Sequence, residues 1–280
     1  MDKHYIPDGV SLQVAQARVT HMGIGAHQDD LEIFAYHGIA ACYRSASNWF
    51  AGVTVTDGGG SARVGAYRDF TDEQMKEVRY REQNRAANMG GYSIQSQLGV
   101  PSRIVKDADA SVEVEVELFT LLDACRPHTL YLHNPADKHD THIAVLARCL
   151  EALRSMPLEH RPERIYGCEV WRDLDWMDDA YKIALPADEY PILARDLVAV
   201  FESQVVGGKD YVNATLGRRH ANATFYQSHE VDEVSGYTFA MDLGPLVSNE
   251  SLSVQDFVEG HLDRFKSDVL NRIQKMVGKL

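Results

Sequence analysis

The stretch Val19-Thr20-His21-Met22-Gly23-Ile24-Gly25-Ala26, followed at once by His27-Gln28-Asp29-Asp30-Leu31-Glu32, decides how this chain reads. Val19 to Ala26 is short, apolar and glycine-containing, the pattern of a strand buried on both faces. The polar residues after it open into a helical pattern from about Asp30 to Tyr43, with Leu31, Phe34 and Ile39 at its apolar positions. A buried strand that runs straight into a helix is the opening unit of a parallel α/β sheet. Such sheets bind ligands beyond the carboxyl ends of their strands. An imidazole and two carboxylates stand at that boundary here.

Working outward, the same alternation recurs. Phe50 to Thr56 alternates Val and Thr and meets Gly58-Gly59-Gly60, which predicts a strand and a turn. Thr71 to Asn88 predicts a charged amphipathic helix, capped at Thr71 or Asp72 and ending near Gly90 and Gly91. Ile94 to Val105 reads as one or two short strands. Ser111 to Cys125 reads as a helix, although Val112, Val114 and Val116 alternate as in a strand. Thr129 to His133 is a short apolar strand. Thr141 to Arg154 is a helix with Ile143, Leu146, Ala147 and Leu150 on one face. Arg164 to Val170 reads as a strand, and Pro186 to Gln204 and Val254 to Val277 as helices. The sum is a Rossmann-like, three-layer α/β fold with a largely parallel central sheet. We expect one domain over residues 1–280, with 205–280 a less defined extension packing on it.

The chain carries 28 Lys+Arg against 41 Asp+Glu, a formal charge of -13. That balance argues against nucleic-acid and membrane partners, which need a cationic footprint. Cys42, Cys125, Cys149 and Cys168 are far apart and form no C-x-x-C pair, so they read as buried, reduced thiols. The N-terminus shows no apolar signal region, and no apolar run approaches the ~18 residues of a membrane span. The expected location is cytoplasmic.

A second chemistry-bearing segment ends the fourth predicted strand: His133-Asn134-Pro135-Ala136-Asp137-Lys138-His139-Asp140-Thr141-His142, with a helix following at once. His139 and His142 are three apart and share a face in a first helical turn. Both segments fall on the same edge of a parallel sheet. Two histidines and one carboxylate make a zinc set that leaves a coordination position for water. The adjacent carboxylate can then take a proton from that water. Each segment alone has a plainer reading, as a helix cap with a solvated neighbour. Their shared placement favours the metal site.

His27-Gln28-Asp29-Asp30 with Glu32 resembles the His-Pro-Asp-Asp motif of the PIG-L/LmbE-like zinc-dependent N-deacetylases, and Asp137-x-His139-x-x-His142 resembles that family's second motif. Thr56-Asp57-Gly58, Arg79-x-x-Glu82, Gly90 and Glu202-Ser203-Gln204 extend the likeness over most of residues 19–210. The resemblance implies zinc, one ion per chain with another divalent metal as the alternative, held by His27, Asp30 and His142. It implies Asp29 as general base, His139 as the residue that helps stabilise the oxyanion, and Arg79 at the substrate. Two positions depart from the family pattern. Gln28 replaces the usual proline and makes the turn less rigid. Thr141 stands where Asp is frequent, so a charge near the metal must come from Asp137 or Asp140.

The implied reaction removes the acetyl group from an N-acetylated amino sugar or sugar conjugate, giving acetate and a free amine. A homo-oligomer is also within the family's range. The alternatives are a metal-dependent amidase on a non-sugar amide, and a non-catalytic sugar- or nucleotide-binding module with a structural metal. A closed four-ligand site completed by His133 or Asp137 would favour the last.

The remaining features are weaker. Gly58-Gly59-Gly60-Ser61-Ala62-Arg63 lacks the Lys-Ser/Thr ending of a phosphate loop and reads as a turn, or as a substrate loop in which Ser61 and Arg63 bind hydroxyls or an anion. Arg79 has an ion pair with Glu82 as its plain reading. The Trp171–Asp179 stretch reads as an exposed acidic loop, with a surface that stacks on and hydrogen-bonds a sugar ring as the alternative. A charge of -8 falls within residues 101–200, which favours a neutral substrate over an anionic one.

Overall fold

In the computed structural model, which describes residues 2–206 and 208–278, eight strands form one sheet. They are β1 (His4–Tyr5), β2 (His21–Gly25), β3 (Phe50–Thr56), β4 (Ile94–Val100), β5 (Thr129–His133), β6 (Arg164–Cys168), β7 (Ile183–Pro186) and β8 (Tyr237–Asp242). Their order is β1-β4-β3-β2-β5-β6-β8-β7. The five strands from β4 to β6 are mutually parallel. β1 lies antiparallel on β4, and β8 runs antiparallel between β6 and β7. The chain steps from β2 outward to β3 and β4, then crosses back to β5 on the other side of β2. Connections leaving β2 and β5 diverge at that reversal, which opens a crevice at their carboxyl ends.

The helices are α1 (Leu12–Ala17), α2 (Asp30–Phe34), α3 (Tyr36–Cys42), α4 (Asp72–Gly90), α5 (Ser102–Lys106), α6 (Val112–Cys125), α7 (Asp140–Ser155), α8 (Pro191–Ala199), α9 (Glu202–Val205), α10 (Tyr211–Tyr226), α11 (Gly244–Ser248) and α12 (Val254–Val277). Strand alternation sorts the core onto two faces. Leu130 and Leu132 of β5 join Met22, Ile24 and Val53 beneath α1, α6 and α7. Tyr131, between them, joins Phe50, Phe34, Ile39 and Leu197 beneath α2, α3 and α8. The result is the expected three-layer α/β arrangement.

Several boundaries differ from the sequence expectation for identifiable reasons. The helix expected from Asp30 to Tyr43 is two helices, interrupted at Ala35 (φ -100°, ψ 15°). α4 starts at the Thr71 cap, where the Thr71 and Gln74 side chains each accept from the other's backbone N–H, and it stops at Gly91 with φ 64°. The valine alternation in α6 is misleading: Val112 and Val116 are exposed while Val114, Leu118, Leu121 and Cys125 are buried at helical spacing. On α7, Ile143 is exposed and Val145, Leu146, Cys149 and Leu150 face the core. The second strand allowed for within Ile94–Val105 is α5, and the strand expected through Val170 stops at Cys168. The helix expected over Pro186–Gln204 is β7's last residue, then α8 and α9. Residues beyond 205 supply β8, an inner strand, and α10, which lines the site described next. α12 leaves Leu262, Phe265, Val269, Ile273 and Met276 exposed along one side. Among the described residues, no helix is long and apolar enough to cross a membrane.

Candidate metal centre

The turn after β2 aims its two aspartates apart. Asp29 adopts φ 91°, in the left-handed region that an Asp enters at some cost. Asp30 opens α2, is 2% exposed, and accepts the His27 backbone N–H at 2.6 Å through Oδ2. Gln28, in place of proline, is buried and anchored: its Nε2 donates to the Thr56 carbonyl at 3.2 Å and to Gln97 Oε1 at 3.3 Å. The turn is therefore tied to β3 and β4 through a side chain. Gly58 is required beside it, because φ is +71° there and a Cβ would lie 2.6 Å from Gln28 Oε1 and 3.0 Å from Arg79 Cβ.

His27, Asp30 and His142 converge from β2's end and the first turn of α7. His27 Nδ1 lies 3.2 Å from His142 Nε2 and 3.3 Å from Asp30 Oδ2, and His142 Nε2 lies 3.3 Å from Asp30 Oδ1. A tetrahedron with metal–ligand bonds of ~2.05 Å has edges of about 3.3 Å. His27, His139 and His142, and likewise Asp30, His133 and His142, each bring three donor atoms within 4.8 Å of one another, and these imidazole and carboxylate donors fit a divalent cation. Burial alone would lower the His142 pKa, but the Asp30 and Asp137 carboxylates overcome it and lift it to about 9. Burial likewise opposes ionisation of Asp30, yet His142 and His133 hold its carboxyl well below the usual range. The surroundings are those of a group that a cation completes.

Two further groups, Asp137 and His133, flank these donors. Asp137 Oδ2 sits 3.4 Å from His142 Nδ1, on the far side of the ring, where it orients the imidazole and supplies the charge that Thr141 does not. His133 Nε2 accepts the Ala26 backbone N–H at 2.9 Å and lies 3.4 Å from Asp30 Oδ2, so His133 stands as a further donor beside Asp30 and His142.

Asp29 lies beside this centre and faces a different partner. Its Oδ2 receives Arg79 Nη2 at 2.9 Å. Burial pushes its carboxyl up to about 6, with Arg79 pulling the other way.

Residues 22–153 match the model of the PIG-L family, described as GlcNAc-PI de-N-acetylase. The chain carries a PIG-L segment. No curated protein matches it. Among solved structures, a conserved protein of Thermus thermophilus is 19% identical, with a TM-score of 0.57 over 80% of this chain and 94% of that one. The 4-carboxy-2-hydroxymuconate hydratase of Pseudomonas putida is 14% identical, TM-score 0.60, over 80% and 95%. The N,N'-diacetylchitobiose deacetylase of Pyrococcus horikoshii is 15% identical, TM-score 0.57, over 83% and 88%. Identities this low show a shared fold. One neighbour is a hydratase and another a deacetylase, so the fold alone does not select the reaction.

The PIG-L segment is supported from outside its own limits. Arg79, 1% exposed, donates through Nη1 to Glu82 Oε2 at 3.0 Å and to Ser203 Oγ at 3.3 Å, and through Nη2 to Asp29 and the Gln28 carbonyl. Ser203 returns its N–H and Oγ–H to Glu82 at 2.7 and 2.8 Å. Arg79 was expected at the substrate. It borders the cleft, its terminal nitrogens are engaged with protein partners, and the Glu82 pairing weighed as its plain reading is present as well. Arg63 likewise donates to the Gly59 carbonyl and to Asp72, so its guanidinium braces the loop. Ser61 lines the cleft.

His139 caps α7. Its Nδ1 accepts the Thr141 N–H at 3.3 Å, which places the ring proton on Nε2. The ring lies 4.7 Å, centroid to centroid, from those of His27 and His142. Burial, and then the neighbouring imidazoles, lower its pKa, so the neutral form dominates.

Two cavities meet at the PIG-L aspartates. An outer cleft of about 400 Å³ runs past His27, Asp29, His139, Ser61, Lys106 and Lys209. An inner pocket of about 170 Å³ reaches Ile33, Glu169, Thr215, Arg218, Arg219 and Thr238. Asp29, Asp30, Trp171 and Tyr211 border both. Trp171 borders both cavities, the placement that the alternative reading of its acidic stretch calls for. Glu169, Arg219 and Thr238 escaped the sequence reading. Glu169 directly follows β6 but lay inside the strand expected through Val170, so the strand-end rule missed it; Arg219 is mid-helix and gives no such signal.

Proposed function

We propose that the chain is a zinc-dependent N-deacetylase acting on an N-acetylated amino sugar or sugar conjugate. The observation that carries this reading is the juxtaposition of a three-ligand set with Asp29, a carboxylate turned away from the ligands but bordering the same cleft. A catalytic ion needs an open position, and the placement of Asp137 on the far side of the His142 ring supports one.

When bound, zinc polarises the amide carbonyl and acidifies water. The residues of the chain account for the rest. Asp29, fixed by Arg79, accepts the proton of the attacking water at its carboxylate. Arg79 is itself held by Glu82 and Ser203, so the base enters the reaction already oriented. His139 donates its Nε2–H to the oxyanion that develops on the carbonyl oxygen. Asp29 then returns the proton to the departing amine, and acetate and a free amine leave. The outer cleft, with Ser61, Gln204 and Trp171 on its walls, has the volume and polarity for a sugar ring. Cys42, Cys125, Cys149 and Cys168 are free and buried, which supports a reducing, cytoplasmic setting.

Acetate release from a panel of N-acetylglucosamine derivatives tests the reading. We expect release from neutral members of the panel and slower release from phosphorylated ones. Hydration of a double bond without acetate release from any N-acetyl compound would instead favour the chemistry of the hydratase neighbour.

A further inference from the structure

Beside Trp171 and Tyr211, the smaller (inner) pocket contains polar groups that the protein leaves without partners. Arg219 is 3% exposed. Its Nη2 donates to the Glu32 and Ile33 carbonyls at 2.9 and 3.0 Å, but its Nε and Nη1 have no partner. One face of the guanidinium covers the Tyr36 ring at 4.5 Å. Thr238, on β8, is 2% exposed, and its Oγ1 is also without a partner. Both residues line the same pocket.

The acidic groups nearby are already satisfied. Glu169 accepts from the Phe239 N–H at 3.0 Å, from the Leu174 N–H at 3.2 Å and from the Asn222 amide. Asp29 is paired with Arg79, and Asp30 belongs to the metal ligands. No ion pair to Arg219 forms among the described residues; its hydrogen bonds go to backbone carbonyls only. Arg219 feels the Glu169 carboxylate, but its Nε and Nη1 and the Thr238 hydroxyl have no acceptor, and each carries a desolvation cost that a hydrogen-bond acceptor removes.

We infer that the inner pocket is a carboxylate subsite, in which Arg219 Nε and Nη1 and the Thr238 hydroxyl receive a small organic carboxylate. The inference rests on the deacetylase reading for its place in the reaction, since the smaller cavity beside the reacting amide suits the acyl half while the larger cleft takes the sugar. The carboxylate is then either released acetate or an acidic group carried on a longer acyl chain. About 170 Å³ holds acetate with room for a larger carboxylate.

Calorimetric titration of the metal-loaded protein with sodium acetate, sodium succinate and neutral succinamide tests this. We expect succinate to bind, succinamide not to bind, and Thr238→Val to weaken succinate about tenfold while leaving the melting temperature unchanged or higher. Arg219→Gln, checked for fold by circular dichroism, should abolish binding. Succinate tighter than acetate supports the acyl-chain source, and acetate at least as tight supports product retention. Equal binding of succinate and succinamide, or succinate binding unaltered by Thr238→Val, overturns the subsite. Acetate release from neutral N-acetyl sugars is scored separately, so loss of that reaction with succinate binding intact contradicts the deacetylase reading and leaves the pocket standing.

Discussion

Asp29→Asn retains its metal and loses about 10³-fold in kcat, within the ~10²–10⁴ that a positioned general base contributes. The substitution is nearly isosteric. An Asn Oδ1 can still accept the Arg79 Nη2–H that Asp29 Oδ2 accepts at 2.9 Å, so the turn and the Arg79–Glu82–Ser203 network survive. What disappears is the capacity to take up a proton. Asp29 is not among the three ligand atoms, so metal stoichiometry by elemental analysis stays at the wild-type value. KM changes little, because the amide binds through groups that remain. Near-normal turnover in Asp29→Asn contradicts the assignment of the base.

His142→Ala has the opposite signature. It removes Nε2, which lies 3.2 Å from His27 Nδ1 and 3.3 Å from Asp30 Oδ1, and leaves two ligands where a catalytic site needs three. Bound metal and acetate release are lost together. Asp137→Asn gives a graded version, since it weakens the contact 3.4 Å from His142 Nδ1 without removing a ligand. Metal affinity, measured by chelator competition, falls about 10–100-fold, the usual cost of losing such an outer partner. Full metal retention in His142→Ala contradicts the ligand set.

What the sequence made legible followed from locality. His27, Asp29 and Asp30 are consecutive or nearly so at one strand end, and His139 and His142 share the first turn of a helix, so short-range spacing was enough to bring out both halves of the centre. The central strands were legible for the same reason: each is a short apolar run closed by a turn. The support of Asp29 was not. Ser203 is 124 residues from Arg79 and meets it only because α9 is brought against α4. Tertiary packing also decided α6, where alternating valines imitate a strand but Val114, Leu118 and Leu121 bury a helical face. It decided β8 as well, an inner strand supplied by a segment that sequence patterning treats as peripheral. Arg219 and Thr238 fall in the same class. Their missing partners become visible only once a cavity is in place around them.

The most direct measurement is acetate release from an N-acetylglucosamine derivative by wild-type protein as purified, after complete metal removal, and after reloading with one equivalent of zinc. The proposed centre predicts activity that disappears with the metal and returns with zinc, and that does not return in His142→Ala. Activity unaffected by complete metal removal would contradict it.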